Sequence, residues 1–151
     1  LLGEAITNRI LKDSIPVHAW PRSKWIKPRL RGETNRVLPL LFSLPDGGWR
    51  RRRPRDWKSL RTFSMAVYRN DLLKVNGLDE AFTGWGSQDS DLIIRLMHSG
   101  IRIKSGRHSS PVLHLWHPDQ PRDNAQKNRE ELEKVLKGHR ITARKGISDQ
   151  S

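Results

Sequence analysis

Six of the nine prolines fall within one stretch: Pro16, Pro21, Pro28, Pro39, Pro45 and Pro54. Proline fixes φ, lacks an N–H and restricts the residue before it. No long helix and no central strand fits between about residues 14 and 57. The spacing predicts a long irregular connection over 14–60 carrying only short elements, with a helix over about 3–13 before it. Four of the six tryptophans lie there too: Trp20, Trp25, Trp49 and Trp57. So does the densest charge, Trp49-Arg50-Arg51-Arg52-Arg53-Pro54-Arg55-Asp56-Trp57. Residues 1–60 hold 14 Lys and Arg against 5 Asp and Glu, and residues 61–151 hold 15 against 11.

The net charge of +13 points to an anionic partner: nucleic acid, an acidic membrane face or a phosphorylated ligand. There is no cysteine. That excludes a disulfide scaffold, a thiolate zinc site and a Cys nucleophile, and leads to the expectation of a reducing, cytoplasmic compartment. No apolar run is long enough to span a bilayer. The chain starts at Leu1, and the expectation is part of a longer protein.

From residue 61 the pattern becomes regular. Residues 62–68 read as a buried strand. Asn70 reads as the N-cap of a short helix through Val75, ended by Gly77. Ser87 reads as the cap of a helix over about 88–99, in which Leu92, Ile93, Leu96 and Met97 recur at helical spacing. Strands are predicted at 101–104 and 111–116, a polar amphipathic helix over about 122–138, and a frayed tail after it. The class is α/β or α+β.

Between the first two of these helices lies Gly84-Trp85-Gly86-Ser87-Gln88-Asp89-Ser90-Asp91. Two glycines let the backbone turn sharply and hold the Trp85 indole outward. Asp89 and Asp91 fall in the first helical turn, where the macrodipole favours the ionised carboxylate. An aromatic face beside a carboxylate suits a sugar: the ring's C–H face stacks, its hydroxyls donate, and the carboxylate can take a proton from an attacking hydroxyl. A plainer account has Trp85 in the core and the two Asp as helix caps. A lone histidine on an apolar strand, such as His114, is equally at home as a satisfied core residue. His18, His98, His108 and His139 read as surface or structural.

Several segments occur together in order: Ser64 to Arg69, Val75 to Glu80, Gly84 to Leu92, Arg95-Leu96 and His114-Leu115-Trp116-His117-Pro118. Over roughly 61–135 they resemble family 2 glycosyltransferases. The resemblance is to the C-terminal, acceptor-side half of a GT-A fold, shared with β-1,4-galactosyltransferases and chondroitin polymerases. It is strongest to bacterial enzymes of lipopolysaccharide or capsule synthesis. The resemblance implies an α/β class: the C-terminal part of a Rossmann-like mixed sheet, with the nucleotide-binding half missing. It implies a lead-in over 1–60, the acceptor-side half over 61–138 and a flexible tail over 139–151. It implies Asp89 as general base, Trp85 stacking on a sugar, Gly86 allowing close backbone approach, and Gln88 and Asp91 at the substrate, Asp91 more as a structural carboxylate. It implies His114, with His117 as its rival, as ligand to Mn²⁺ or Mg²⁺ on a nucleotide-sugar diphosphate, and inversion at the anomeric carbon.

Gln88 departs from the family, which has Glu there; an amide keeps one acceptor and loses the charge. The string Asp89-Ser90-Asp91 lies inside the acceptor motif and is not the metal-binding Asp-x-Asp. No Gly-rich phosphate loop and no βαβ series precede residue 61. The expected function is transfer of a sugar from a nucleotide-sugar donor to a glycan or glycolipid acceptor in bacterial surface polysaccharide synthesis, with this chain alone inactive. The alternatives are a non-catalytic carbohydrate- or partner-binding remnant, or a basic membrane- or nucleic-acid-binding module. Proline breaks any recognition helix in the basic segment, so nucleic acid is the weaker partner. Clustered Lys and Arg with interleaved Trp suit an anionic bilayer face, which predicts a cytoplasmic protein peripheral to the inner membrane.

Overall fold

The computed structural model describes residues 1–60, 64–109 and 111–149. Among the described residues there are six α-helices: α1 (Glu4–Lys12), α2 (Ile26–Leu30), α3 (Leu38–Leu41), α4 (Arg69–Lys74), α5 (Gln88–His98) and α6 (Ala125–Lys137). Short 3₁₀ turns fill much of the proline-rich stretch. The chain divides into two compact units, one of residues 1–52 and 105–119, the other of 53–104 and 120–151.

The first unit starts with α1. Ile6 and Ile10 stand one turn apart and are buried, Glu4 occupies the first turn, and Arg9 and Lys12 occupy the last. That charge order suits the helix dipole. Beyond α1 the prolines act as expected: only 3₁₀ turns, the five-residue α2 and the four-residue α3 form. Leu2, Ile6, Ile10 and Trp25 make the core, and Leu113 and Leu115 pack on it from the returning segment. The Leu2 N–H donates to the His114 carbonyl (2.9 Å), and the Trp116 N–H donates to Thr7 Oγ1 (3.0 Å). These are single bonds, not a ladder. The stretch 111–116 is therefore not a strand, and Leu113 and Leu115 pack on the core without a ladder partner. Among the described residues the one β-pairing is the isolated bridge between Leu2 and Thr34.

Carbonyls without helical partners accumulate in such a chain, and Arg50 collects them. Its guanidinium is buried and donates to the carbonyls of Leu44, Pro45, Ser105 and Arg107. One member of the Arg50 to Arg53 run thus turns inward.

The second unit is built on α5. Leu92 and Leu96 pack against Val75, and Ile94 on the next face packs against Leu132 and Val135 of α6. Of the repeat that predicted this helix, Leu92, Ile93 and Leu96 are buried and Met97 is half-buried; Ile94, outside that repeat, makes the α6 contact. α4 begins at Arg69, with Tyr68 rather than Asn70 as its N-cap. The Leu72 N–H closes onto the Tyr68 carbonyl (3.0 Å). The expected strand at 62–68 lies partly outside the described residues; 64–68 form none, and neither do 101–104, where the Ile103 N–H makes a single bond to the Pro54 carbonyl.

The expected flexible tail is packed over 139–149. The Ala143 N–H donates to the Val75 carbonyl (3.0 Å), and Ala143 is buried. Arg140 donates to both Asp79 and Asp91, and Arg144 to Asp79 and Glu131. Charged residues that read as a solvated tail are the partners of buried carboxylates.

Candidate sugar-binding site

The loop 84–87 turns on left-handed backbone. Gly84, Gly86 and Ser87 have φ of +71°, +103° and +72°. At Gly84 a Cβ would also come within 3.1 Å of Asn124 Nδ2, so position and backbone both call for glycine there. Ser87 occupies the N-cap of α5 as predicted, but its side chain makes no cap bond; its carbonyl accepts the Asp91 N–H (2.9 Å). The loop is held from behind by α6. The buried Asn128 side chain donates to the carbonyls of Thr83 (3.0 Å) and Trp85 (3.2 Å).

So supported, the Trp85 ring is 44% exposed, and the account that placed it in the core does not hold. Arg122 lies over the ring, 4.6 Å from its centroid. Gly84, Trp85 and Gln88 line a cleft of about 430 Å³ with Gln120, Pro121, Asp123 and Asn124. The Gln88 Oε1 is buried and has no hydrogen-bond partner. A buried acceptor without a donor costs about 1–3 kcal/mol.

Asp89 sits one residue further along in the first turn of α5, half-buried; it is not among the residues lining the cleft, and neither is Gly86. Asp91 faces the interior. It is fully buried, Arg95 Nε donates to one oxygen (2.8 Å) and Arg140 Nη2 to the other (2.8 Å). Arg95, equally buried, also donates to the carbonyls of Val75 (2.6 Å) and Gly77 (2.8 Å). This ties the base of α5 to the end of α4. Burial pushes the Asp91 carboxyl up, against the pull of Arg95 and Arg140. Burial acts the same way on Asp79. There, hydrogen bonds from Arg140 and from the backbone of Arg144 and Ala81 outweigh it and hold the carboxyl down to about 2.

Asp79, Arg95 and Arg140 were not foreseen as a unit. The i,i+4 spacing of Asp91 and Arg95 was the local signal available; Arg140 pairs with Asp79 across 61 positions and leaves none.

His114 lies in the other unit, half-buried, and is described there alone. Its Nε2 faces the Nε2 of His117 at 3.2 Å, with the rings stacked at 5.3 Å. The two candidates thus form a pair rather than rivals. The contact is either a single N–H···N bond or two adjacent arms on one cation, since nitrogens about 2.1 Å from an ion lie roughly 3 Å apart when adjacent around it. Imidazole suits Mn²⁺ better than Mg²⁺, which prefers oxygen. Among the described residues no third His, Asp or Glu joins them.

Residues 51–118 match the family model described as the N-terminal domain of galactosyltransferase. Chondroitin sulfate synthase 3 from Homo sapiens and from Mus musculus are each 32% identical to this chain over 62 residues. That is 41% of this chain and 7% of either synthase, so the match spans a small part of those relatives. No solved structure matches. The chain therefore carries a glycosyltransferase-related segment that includes the Trp85 loop, α5, His114 and His117. The matched description names an N-terminal domain, whereas the sequence resemblance was to an acceptor-side C-terminal half.

Proposed function

We propose that this chain is the sugar-handling part of a metal-dependent, inverting glycosyltransferase that elongates a glycan or glycolipid from a nucleotide-sugar donor. The observation that carries the reading is the cleft beside Trp85. An exposed indole and the Gln88 side chain line one cavity, one residue before a carboxylate in a helical first turn. The acceptor ring stacks on Trp85, and the part of the Gln88 amide that lines the cleft hydrogen-bonds an acceptor hydroxyl. Gly86 leaves room for the backbone to approach the sugar.

Asp89 then accepts the proton of the attacking hydroxyl while that oxygen bonds to the anomeric carbon and the nucleoside diphosphate leaves. A base of this kind contributes roughly 10²–10⁴-fold. His114 and His117 are the proposed ligands of a divalent cation, Mn²⁺ before Mg²⁺. An ion bound there would supply positive charge for a phosphate-bearing ligand. The GT-A mixed-sheet class, with this chain as one half of the domain, remains part of the proposal. Bacterial surface polysaccharide is the proposed pathway. The matched relatives are mammalian and named for chondroitin sulfate, so extension of a glycan polymer is the ground common to both.

Two observations favour a second reading, carbohydrate binding without transfer: Gln88 is neutral, and Asp89 does not line the cleft. Isothermal titration of the chain with acceptor monosaccharides, with and without UDP and Mn²⁺, tests both. Saturable sugar binding strengthened by UDP and Mn²⁺ supports the transferase. Sugar binding indifferent to them supports the second reading, and no sugar binding contradicts both.

A further inference from the structure

The helix α2 in the first unit is inside out. It buries Pro28 and follows the buried Trp25, while Ile26 is 47% exposed and Leu30 82% exposed. At 3.6 residues per turn Ile26 and Leu30 lie together, each roughly 160° from Pro28, with Arg29 about 60° to one side and Lys27 about 60° to the other. The apolar stripe therefore faces solvent between two cations. The chain around it is basic. Arg22, Lys24, Arg31 and Arg36 are exposed, and the one acid of residues 22–36, Glu33, is taken by Arg9 (3.3 Å). Further along the same unit, Leu38, Phe42 and Leu44 are also exposed. Arg22 Nη1 donates to the Leu41 carbonyl (3.4 Å), which ties the turn before α2 to the end of α3.

A solvated basic loop explains the cations and not the stripe. A polyanion in water, nucleic acid or soluble polysaccharide, has no use for Leu30 at that exposure. Nucleic acid would instead want exposed aromatic rings. In this unit Trp25 is buried, Trp20 and Trp49 are each half-buried beneath a cation, Lys24 at 4.5 Å and Arg50 at 4.4 Å, and the exposed Phe42 ring is stacked against His108, centroids 6.1 Å apart. Aliphatic side chains flanked by Lys and Arg are the composition of a surface that rests on an anionic bilayer. No helix among the described residues is long and apolar enough to cross a membrane.

We infer that residues 22–44 form a docking face for an anionic lipid surface, with Ile26 and Leu30 entering the headgroup boundary and Lys27, Arg29 and Arg31 contacting lipid phosphates and carboxylates. The inference is independent of the sugar-site reading. Such contact resists salt better than charge alone, because part of it is apolar.

The test is co-sedimentation of the full chain with vesicles of phosphatidylcholine alone or enriched in phosphatidylserine. Binding is expected to the anionic vesicles only. Removing one basic contact weakens it by about fivefold, so Lys27→Gln with Arg29→Gln should cost more than tenfold. The paired variant Ile26→Ser with Leu30→Ser keeps the charge, removes two exposed side chains the core does not use, and should also lose binding while its circular dichroism is unchanged. Equal sedimentation with both vesicle types overturns the inference. So does full binding by the Ser pair, because the face would then be a general polyanion site; soluble polyphosphate should in that case compete equally for both proteins.

Discussion

Both units bury an arginine that donates to backbone carbonyls, and they differ in whether a buried carboxylate joins in. Arg50, in the proline-rich unit, donates to four backbone carbonyls, and its nearest carboxylate oxygen, on Asp46, is 3.7 Å away at the surface. Arg95, in the helical unit, is paired with Asp91, itself held by Arg140 together with Asp79. Where proline removes helices, carbonyls are left without N–H partners, and a five-donor fork answers several at once. In the helical unit the guanidinium divides its donors between a buried carboxylate and the carbonyls of Val75 and Gly77, which follow α4. The first arrangement pins loops. The second fixes the start of α5, the turn that carries Gln88 and Asp89.

This difference can be broken from the strong side first. Arg95→Ala leaves Asp91 buried beside one remaining partner and should destabilise the chain by about 3–5 kcal/mol in denaturant unfolding. Arg95→Lys should recover little, because an ammonium cannot reproduce the fork. Arg50→Ala strands carbonyls rather than a charge, and part of that loop can take up water, so about 2–3 kcal/mol is expected. An equal or larger loss at Arg50 would contradict the comparison.

Acid should separate the units as well. Asp79 is depressed from 3.8 to about 2, so its stabilisation is complete above the unfolded value and is lost as pH falls from about 4 through about 2. That amounts to about 2 kcal/mol. Asp91 is shifted the other way and offsets part of it. Asp79→Asn should flatten the acid limb of the stability–pH curve measured by denaturant unfolding; an unchanged limb would place the acid sensitivity elsewhere. The smallest expected effect on stability is that of Trp85→Ala. The ring is 44% exposed, so thermal unfolding should shift by less than about 1 kcal/mol while sugar affinity falls sharply.

The helices that pack by periodic apolar residues were legible in the sequence. Leu92, Ile93 and Leu96 announced α5, and the prolines announced the irregular stretch. The alternation at Ile101 and Ile103 was read as a strand because an extended chain with one face inward looks the same with or without a ladder partner. The Trp85 loop was legible through its two glycines, and its outward indole is where they put it. The buried charges were not. Arg50 is one of four successive arginines, and nothing local marks which one turns inward. Asp79 meets Arg140 only once the chain returns after α6.

The central claim is that the helical unit, and not the tryptophan-rich one, receives the sugar. Indole N–H resonances in ¹H–¹⁵N NMR spectra, assigned by single Trp→Phe variants, test it directly during titration with acceptor monosaccharides in the presence of UDP and Mn²⁺. The account expects saturable shifts at Trp85 and at the Gln88 side-chain amide, with Trp20, Trp25 and Trp49 unmoved. Shifts confined to Trp20, Trp25 or Trp49, or no shift at Trp85 at saturating sugar, would contradict it.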